Sequence, residues 1–271
     1  MMISIICFTL HFVLYFSGII NDPIQMIRIK ETSVLIRSTL GFNHPNSPFR
    51  FFLPIVLLLY LLVSEKKFRW IVMPILLLES IYIYQGTDSR TAFYLLLLLF
   101  VIIFLGVDKI FMYKLPLFIS KYMFWLIAGI SIIMAIMWGD RNNAINIVLT
   151  DRLYMWRLCF ENGIKLFGGS NLPQGIYIDN SSIFLLVQCG LIPFLIVGCL
   201  YSKFIKFLMD KRDYKMCVVV LIFLVMSFAE NIIFRYSTNF IIILVFKYAF
   251  EYEWSKASEI ILKSRYWKIA R

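Results

Sequence analysis

Charged and metal-binding side chains are scarce in this 271-residue chain. Only 16% of its residues are charged, and it contains two histidines and five cysteines. The cysteines show no metal-ligand spacing, and most of them lie in apolar runs, where small buried thiols are common. With so few histidines, a zinc site lacks its usual ligands. These shortages argue against a disulfide-rich secreted domain and against a metal centre.

Apolar residues dominate instead. The chain is 61% hydrophobic and 17% aromatic, with a mean hydropathy of +0.81, which is more apolar surface than a soluble domain of this length needs. The first 20 residues lack the basic start and cleavage site of a signal peptide, so we interpret them as a spanning helix. The composition predicts an all-α integral membrane protein whose polytopic domain covers residues 1–249. Hydropathy gives about eight spans, approximately 2–20, 47–63, 69–85, 91–107, 120–138, 182–201, 214–230 and 232–249.

Lysine and arginine are concentrated in alternate short connections and at the C-terminal end, which predicts that both termini face the cytoplasm. The same topology places two long loops outside the membrane, at about 21–46 and 139–181. Residues 250–271 mix aromatic and basic residues, so we expect a cytoplasmic amphipathic tail that anchors to lipid, with a partner site as the alternative. The net charge of +11 therefore indicates binding to anionic lipid and not to nucleic acid.

The second long loop has the pattern of an amphipathic helix that ends at Gly168-Gly169. Its apolar stripe consists of Leu153, Trp156, Phe160, Ile164 and Phe167. Arg152 and Arg157 lie on opposite margins of this stripe. Because a guanidinium matches phosphate oxygens, the two arginines can hold a diphosphate at headgroup depth. Alternatively, they bind ordinary lipid headgroups or pair with Asp151 and Glu161.

Two further ionisable residues stand at the ends of apolar runs, where charge is costly and often functional. Arg90 starts the fourth span, and its alternative role is a salt bridge to Asp88 or snorkelling to the interface. Glu230 lies between the last two spans, and Arg235 is its expected partner if the role is structural.

Three more candidates come from turn-like segments. His44 lies in the turn GFNHPN, where it is either a proton donor or acceptor for a sugar or phosphate, or a solvated turn residue. Asp179 is the best carboxylate for a general base, and Asn180 follows it. Both are also suited to capping the next helix, and the two interpretations are compatible.

In order, the segments RSTLGFNHPN (37–46), TDSRTAFY (87–94), an arginine-bearing loop and DNSSIFLL (179–186) resemble the Wzy-type polysaccharide polymerases. These belong to the O-antigen polymerase and ligase superfamily, and the Gram-positive capsule and exopolysaccharide branch is the most similar. Arg157 and Gly168 also fit the family's RX10G pattern, although Arg152 and Gly163 have the same spacing. The combination of motifs is more specific than any one of them.

The resemblance implies a metal-independent glycosyltransferase with a GT-C-like membrane fold and no cofactor. Such enzymes join oligosaccharide units carried on undecaprenyl diphosphate, at the outer face of the bacterial cytoplasmic membrane. By analogy, Arg90, Arg152 and Arg157 stabilise the leaving diphosphate, and Arg37 assists. Asp179 or His44 activates the acceptor hydroxyl, and Asn180 and Glu230 join the substrate-binding set. Flippase and chain-length regulator proteins are the expected protein partners.

Family members are usually longer, so an N-terminally truncated and inactive relic is one alternative. A ligase that transfers glycan to a different acceptor shares the fold, although family ligases typically have His-Asn where this chain has Asp179-Asn180. A transporter of lipid-linked sugars is a third alternative, but it predicts internal repeats and midplane charges, and the sequence shows no clear repeat.

Overall fold

A computed structural model describes residues 2–22, 26–30, 33–63, 69–106, 114–149, 151–161, 163–170, 172, 178–233 and 239–250. The described residues are mainly helical, which confirms the predicted helical class, and they add one short β-hairpin. The chain divides into two compact units, residues 1–112 and 113–271. The predicted cytoplasmic tail lies outside the described residues beyond Phe250.

In the first unit, the described residues form four helices and the hairpin. Its elements are α1 (Met2–Phe16), β1 (Met26–Lys30), β2 (Ser33–Arg37), α2 (Ser47–Val63), α3 (Arg69–Thr87) and α4 (Arg90–Leu105). The strands are antiparallel, with Met26 opposite Arg37 and Lys30 opposite Ser33. Helix α2 packs against the other three helices, and its Phe49, Val56 and Leu57 are fully buried.

The second unit carries the arginine-bearing loop and the DNSSIFLL segment. Its elements are α5 (Lys114–Lys121), α6 (Met123–Trp138), α7 (Ala144–Val148), α8 (Arg152–Glu161), α9 (Ser181–Phe184), a π-helical turn (Leu185–Cys189), α10 (Leu191–Asp210), α11 (Tyr214–Ala229) and α12 (Phe240–Tyr248). Helix α11 packs against α6, α9 and α10. Helices α6 and α10 approach closely at Gly198, where an added Cβ would lie 2.5 Å from the Trp125 ring.

The predicted span at 182–201 is not one continuous helix. The backbone passes through α9 and the π-helical turn, breaks at Gly190 and restarts as α10, which runs on to Asp210. Gly190 has φ +100°, a conformation that only glycine adopts without strain. An added Cβ would lie 2.7 Å from the Leu166 carbonyl oxygen. The uninterrupted apolar sequence conceals this break because glycine is compatible with the hydropathy pattern.

The structure also differs from the sequence-based expectations in the second long loop, in the first long loop and at the start of the last helix. The amphipathic helix in the second long loop ends at Glu161 and not at Gly168, because Gly163 takes φ +75° and the chain turns away. Ile164 and Phe167 are consequently exposed. The first long loop contains the hairpin, and its strands are rich in the β-branched residues valine and isoleucine, which favour strands. The last helix begins at Phe240, later than the expected 232.

Among the described residues, one helix, Leu191–Asp210, is long and apolar enough to cross a membrane by length and composition. Shorter apolar helices accompany it: Ile6–Phe16, Ser47–Leu62, Arg90–Ile103, Met123–Trp138 and Tyr214–Ala229. Several of the described helices leave large apolar side chains exposed, including Leu78 on α3, Val101 on α4 and Ile136 on α6.

Candidate functional site

Helix α8 is fixed in place by a buried asparagine in the preceding short helix, α7. Asn146 is fully buried. Its Oδ1 accepts a hydrogen bond from the Tyr154 N–H at 2.9 Å, and its Nδ2 donates to Oδ1 of Asp151 at 2.9 Å. Asp151 has φ +61°, which reverses the chain immediately before α8. This turn therefore determines where Arg152 and Arg157 emerge.

One face of α8 is buried in the core of the second unit. Leu153, Trp156 and Cys159 are almost completely buried, and they pack with residues from α6 and from the segment that follows Ile178. The Trp156 ring meets the Phe228 ring edge to face, with centroids 5.5 Å apart. The predicted apolar stripe is thus correct for the first turns of the helix. It anchors α8 and leaves its two arginines at the margins of the buried face.

Asp179 is the centre of a compact polar cluster. Its Oδ1 accepts a hydrogen bond from Nε1–H of Trp156 at 2.8 Å, and its Oδ2 lies 2.9 Å from Nε of Arg152. Arg152 also donates from Nη1 to the carbonyl oxygen of Ala229 at 3.0 Å. That carbonyl belongs to the C-terminal end of α11, where a cation is favoured by the helix dipole. The side chains of Asp179 and Arg152 are only 15% and 28% exposed.

The surroundings of Asp179 shift the pKa of its carboxyl. Burial raises the pKa of its carboxyl above the ordinary value, and the negative charge of Glu230 acts in the same direction. The Arg152 charge and the Trp156 hydrogen bond oppose this rise without cancelling it. A carboxylate with a raised pKa is better suited to accept a proton from a hydroxyl group. Glu230, which ends α11, is itself buried.

Cys159 lies on the same helix as the two arginines, on its buried face. Burial and the nearby Asp179 charge raise the pKa of this thiol to about 11. A neutral buried thiol is a poor nucleophile, so the cysteine fills space in the core.

Both the oxygen and the nitrogen of the Asn180 side-chain amide form hydrogen bonds within the protein. Its Oδ1 accepts from the Ile183 N–H at 2.9 Å, which caps α9. Its Nδ2 donates to Oγ of Ser131 and to the Phe228 carbonyl, both at 2.8 Å. The amide therefore joins α6, α9 and α11. Because Asn180 makes the cap, the neighbouring Asp179 carboxylate is left for Arg152 and Trp156.

Glycine-rich residues after α8 pair with the π-helical turn. The N–H of Gly168 donates to the Cys189 carbonyl and that of Ser170 to the Val187 carbonyl, each at 3.0 Å. Carbonyls in a π-helical turn lack their usual α-helical partners, and such turns occur often at functional sites. The glycine of the RX10G spacing thus serves to attach the arginine-bearing loop to the DNSSIFLL segment.

Arg157 is placed differently from Arg152. Its Nη1 pairs with Oδ1 of Asp140, just after the end of α6. The Arg157 side chain is 41% exposed and that of Asp140 is 71% exposed. Neither arginine pairs with Asp151 or Glu161. The two guanidiniums therefore have separate carboxylate partners.

In the first unit, Arg37 links two of the sequence motifs. Its Nε donates to the Thr87 carbonyl at 2.6 Å and its Nη2 to Oδ1 of Asn46 at 2.9 Å. The Asn46 N–H in turn donates to Nδ1 of His44 at 3.1 Å. Arg37 therefore holds the GFNHPN turn against the end of α3. A neutral His44 in this arrangement carries its proton on Nε2.

Arg90 begins α4 and forms a salt bridge to Asp88. This salt bridge is the structural role that the sequence analysis gave as the alternative to substrate binding. Its Nε lies 3.1 Å from Oδ1 of Asp88, and its side chain is 48% exposed. A cation at a helix N-terminus is unfavourable unless it is neutralised. Arg235, the expected structural partner of Glu230, lies outside the described residues.

Sequence reasoning missed two residues that shape these sites. Trp156 was assigned only to the apolar stripe, although a buried indole N–H needs an acceptor and this need was a usable signal. Asp22 accepts hydrogen bonds from the Ser38 and Thr39 hydroxyls and from the Gly41 N–H. Although burial alone would raise the pKa of Asp22, these hydrogen bonds lower it below the ordinary value.

Within the described part of the chain, no group of three or more His, Cys, Asp and Glu side chains is placed to hold a metal ion. Comparison of the chain with known protein families, with curated proteins and with solved structures finds no match.

Proposed function

We propose that this protein is a multi-pass glycosyltransferase of the bacterial cytoplasmic membrane. It polymerises oligosaccharide units carried on undecaprenyl diphosphate into a surface polysaccharide, on the outer face of that membrane. The observation that carries the proposal is the ion pair between Arg152 and Asp179. It joins the arginine-bearing loop to the DN motif, two segments through which the sequence resembles the Wzy-type polymerases.

The exposed apolar side chains support the membrane part of the proposal. Soluble proteins rarely expose many large apolar groups together, whereas lipid accommodates them. The proposed architecture has about eight spans and a GT-C-like arrangement, with short helices tilted or locally thinning the bilayer. Both termini lie in the cytoplasm, where the basic connections contact anionic lipid.

The proposed reaction needs one base and one anion-binding group. The acceptor hydroxyl oxygen forms a bond to the anomeric carbon of the growing glycan, and its proton passes to Asp179. The bond from that carbon to the diphosphate oxygen breaks, and its electron pair leaves with the lipid diphosphate. Arg157 stabilises the negative charge of the departing group. Arg152 remains in place as the counter-ion that holds the Asp179 carboxylate.

The activity test uses purified protein in proteoliposomes supplied with an undecaprenyl-diphosphate-linked oligosaccharide from cells that lack their own polymerase. Products are separated on a gel. We expect a ladder of long chains from the wild type, about 10²–10⁴-fold less product from Asp179→Asn and about 10²–10³-fold less from Arg157→Ala. Exposed residues of the same types provide matched controls, Asp210→Asn and Arg141→Ala.

Each outcome has a distinct meaning. Controls that lose as much activity as the two test variants would show that the loss is not specific to this cluster. Transfer of a single unit to a different acceptor would indicate a ligase. A correctly inserted wild-type protein that forms no product with several lipid-linked oligosaccharides would contradict the polymerase proposal.

The topology is tested separately by cysteine labelling in intact cells. In a variant whose exposed Cys7 and Cys199 are replaced by serine, we expect an impermeant maleimide to label Asn142→Cys from outside. Arg212→Cys, at the opposite end of the second unit's helices, is expected to react only after permeabilisation. The reverse pattern would place the candidate site in the cytoplasm and contradict the proposed location.

A further inference from the structure

The Arg157–Asp140 pair has a property that the Arg152–Asp179 pair lacks. Arg152 is fixed by two acceptors, Asp179 and the Ala229 carbonyl. Arg157 has Asp140 as its one protein acceptor among the described residues, and both members are substantially exposed. The remaining N–H groups of the Arg157 guanidinium therefore face outward from the pair. Another anion can therefore replace Asp140 at Arg157.

The Arg157 side chain packs against the backbone at the end of α6. Its side chain lies across Gly139, where an added Cβ would be 2.8 Å from Cβ of Arg157 and 3.0 Å from its Cδ. The nearest atom to this added Cβ is the Ala135 carbonyl oxygen, so both the α6 backbone and the Arg157 side chain require glycine at this position. Asp140 is the residue immediately after this glycine, so the carboxylate stands directly beside the path of the Arg157 side chain.

We propose that Asp140 is a displaceable counter-ion, which occupies Arg157 until a lipid diphosphate replaces it. The inference deepens the proposed function and rests on Arg157 as the diphosphate-binding group. A phosphodiester headgroup carries one negative charge, and it competes poorly against a carboxylate tethered beside the arginine. A diphosphate carries more charge and more acceptor oxygens, so it displaces the carboxylate. Asp140 thereby keeps the abundant anionic phospholipids that surround the site from filling the unliganded Arg157.

The exchange costs little because exposed ion pairs are weak. Such pairs contribute about 0–1 kcal/mol, which corresponds to at most about a fivefold change in a dissociation constant. Removing the carboxylate should therefore strengthen the binding of every anion at Arg157 by up to about fivefold. With the carboxylate gone, a phosphodiester lipid also occupies the free Arg157 more readily, so the apparent dissociation constant of a diphosphate depends more strongly on the anionic lipid present.

The test measures binding and not activity. Full-length protein in phosphatidylcholine nanodiscs is titrated with farnesyl diphosphate, with and without phosphatidylglycerol in the disc. We expect Asp140→Asn to lower the dissociation constant several-fold in phosphatidylcholine and to make it sensitive to phosphatidylglycerol. The control is Glu161→Gln, which removes the same charge from an exposed position on the same helix as Arg157. We expect it to resemble the wild type in both respects.

Additional variants separate the two proposals. Arg157→Ala should weaken binding, and Asp140→Asn should add nothing in its background. If Arg157→Ala weakens binding while Asp140→Asn behaves like the wild type, or like Glu161→Gln, the role of Asp140 is refuted and the role of Arg157 stands. If Arg157→Ala leaves diphosphate binding unchanged, the diphosphate role of Arg157 in the proposed function is refuted as well.

Discussion

The Arg152–Asp179 pair makes a quantitative prediction about stability. Arg152→Met keeps most of the side-chain volume but removes the contact of Nε with Asp179 and the bond from Nη1 to Ala229. Breaking a fully buried pair from one side costs about 3–5 kcal/mol. Because both side chains are partly exposed, we reduce this to about 2–3 kcal/mol. The free energy of unfolding decreases because the Asp179 carboxylate stays buried with no cation beside it.

The assay is thermal unfolding in detergent, followed by tryptophan fluorescence. For a chain of this size, about 2–3 kcal/mol corresponds to a decrease in melting temperature of roughly 4–12 °C. The double variant Arg152→Met/Asp179→Asn should recover part of this loss. The neutral amide oxygen still accepts from Trp156, and no uncompensated charge remains.

The effect should also depend on pH. The folded protein holds the Asp179 proton more tightly than the unfolded chain does, because burial raises the pKa of this carboxyl above its ordinary value. The destabilisation caused by this carboxyl is therefore absent at low pH. It develops as the pH rises from the ordinary pKa through the raised one. Arg152→Met removes a cation that lowers this pKa, so the difference from the wild type should grow with pH over that window.

Two results would contradict this reasoning. If Arg152→Met melted within about 1 °C of the wild type, which is under ~0.5 kcal/mol at this chain length, the pair would contribute little and Asp179 would not depend on it. If the double variant were as unstable as the single one, the loss would come from packing around Arg152 and not from an uncompensated carboxylate.

Three further predictions concern other parts of the structure. Trp156→Phe keeps the buried ring but removes the hydrogen bond to Asp179, so we expect a loss of about 1 kcal/mol by the same melting assay, and Trp156→Tyr serves as a second aromatic replacement. Gly190→Ala forces a side chain into a left-handed backbone position against the preceding loop, and we expect a loss of about 1–3 kcal/mol; an unchanged melting temperature would contradict the observed φ. Asp22→Asn should destabilise the protein at neutral pH, because the lowered pKa of Asp22 stabilises the fold above the ordinary pKa, and the difference should vanish as the pH falls through the lowered value.

The sequence predicted the continuous helices better than their interruptions. Helix α2 has the expected limits, Ser47–Val63, because a turn precedes it and a charged stretch follows its apolar run. The break at Gly190 and the early end of α8 both depend on glycines in left-handed conformations. Hydropathy does not register backbone conformation, so neither feature was predicted.

The site shows a similar limit. Asp179, Arg152 and Arg157 were chosen as candidates from their residue types and positions. Their expected ion-pair partners were neighbours in sequence, Asp151 and Glu161, whereas the structure pairs them with residues 17 and 27 positions away. Such partners are determined by how α6, α8 and α11 pack, and a single sequence does not encode that packing in a readable pattern.

The amide of Asn180 has a consequence for how the chain is made. It bonds to Ser131, which is synthesised long before it, and to Phe228, which is synthesised 48 residues after it. At about 5–20 residues per second, a ribosome needs several seconds to add that stretch. Until then, the nascent chain holds an apolar segment with an unsatisfied amide, and Arg152 lacks the Ala229 carbonyl. The candidate site is therefore one of the last parts of the second unit to mature, and a chaperone or insertase that retains the chain until α11 arrives would protect it during that interval.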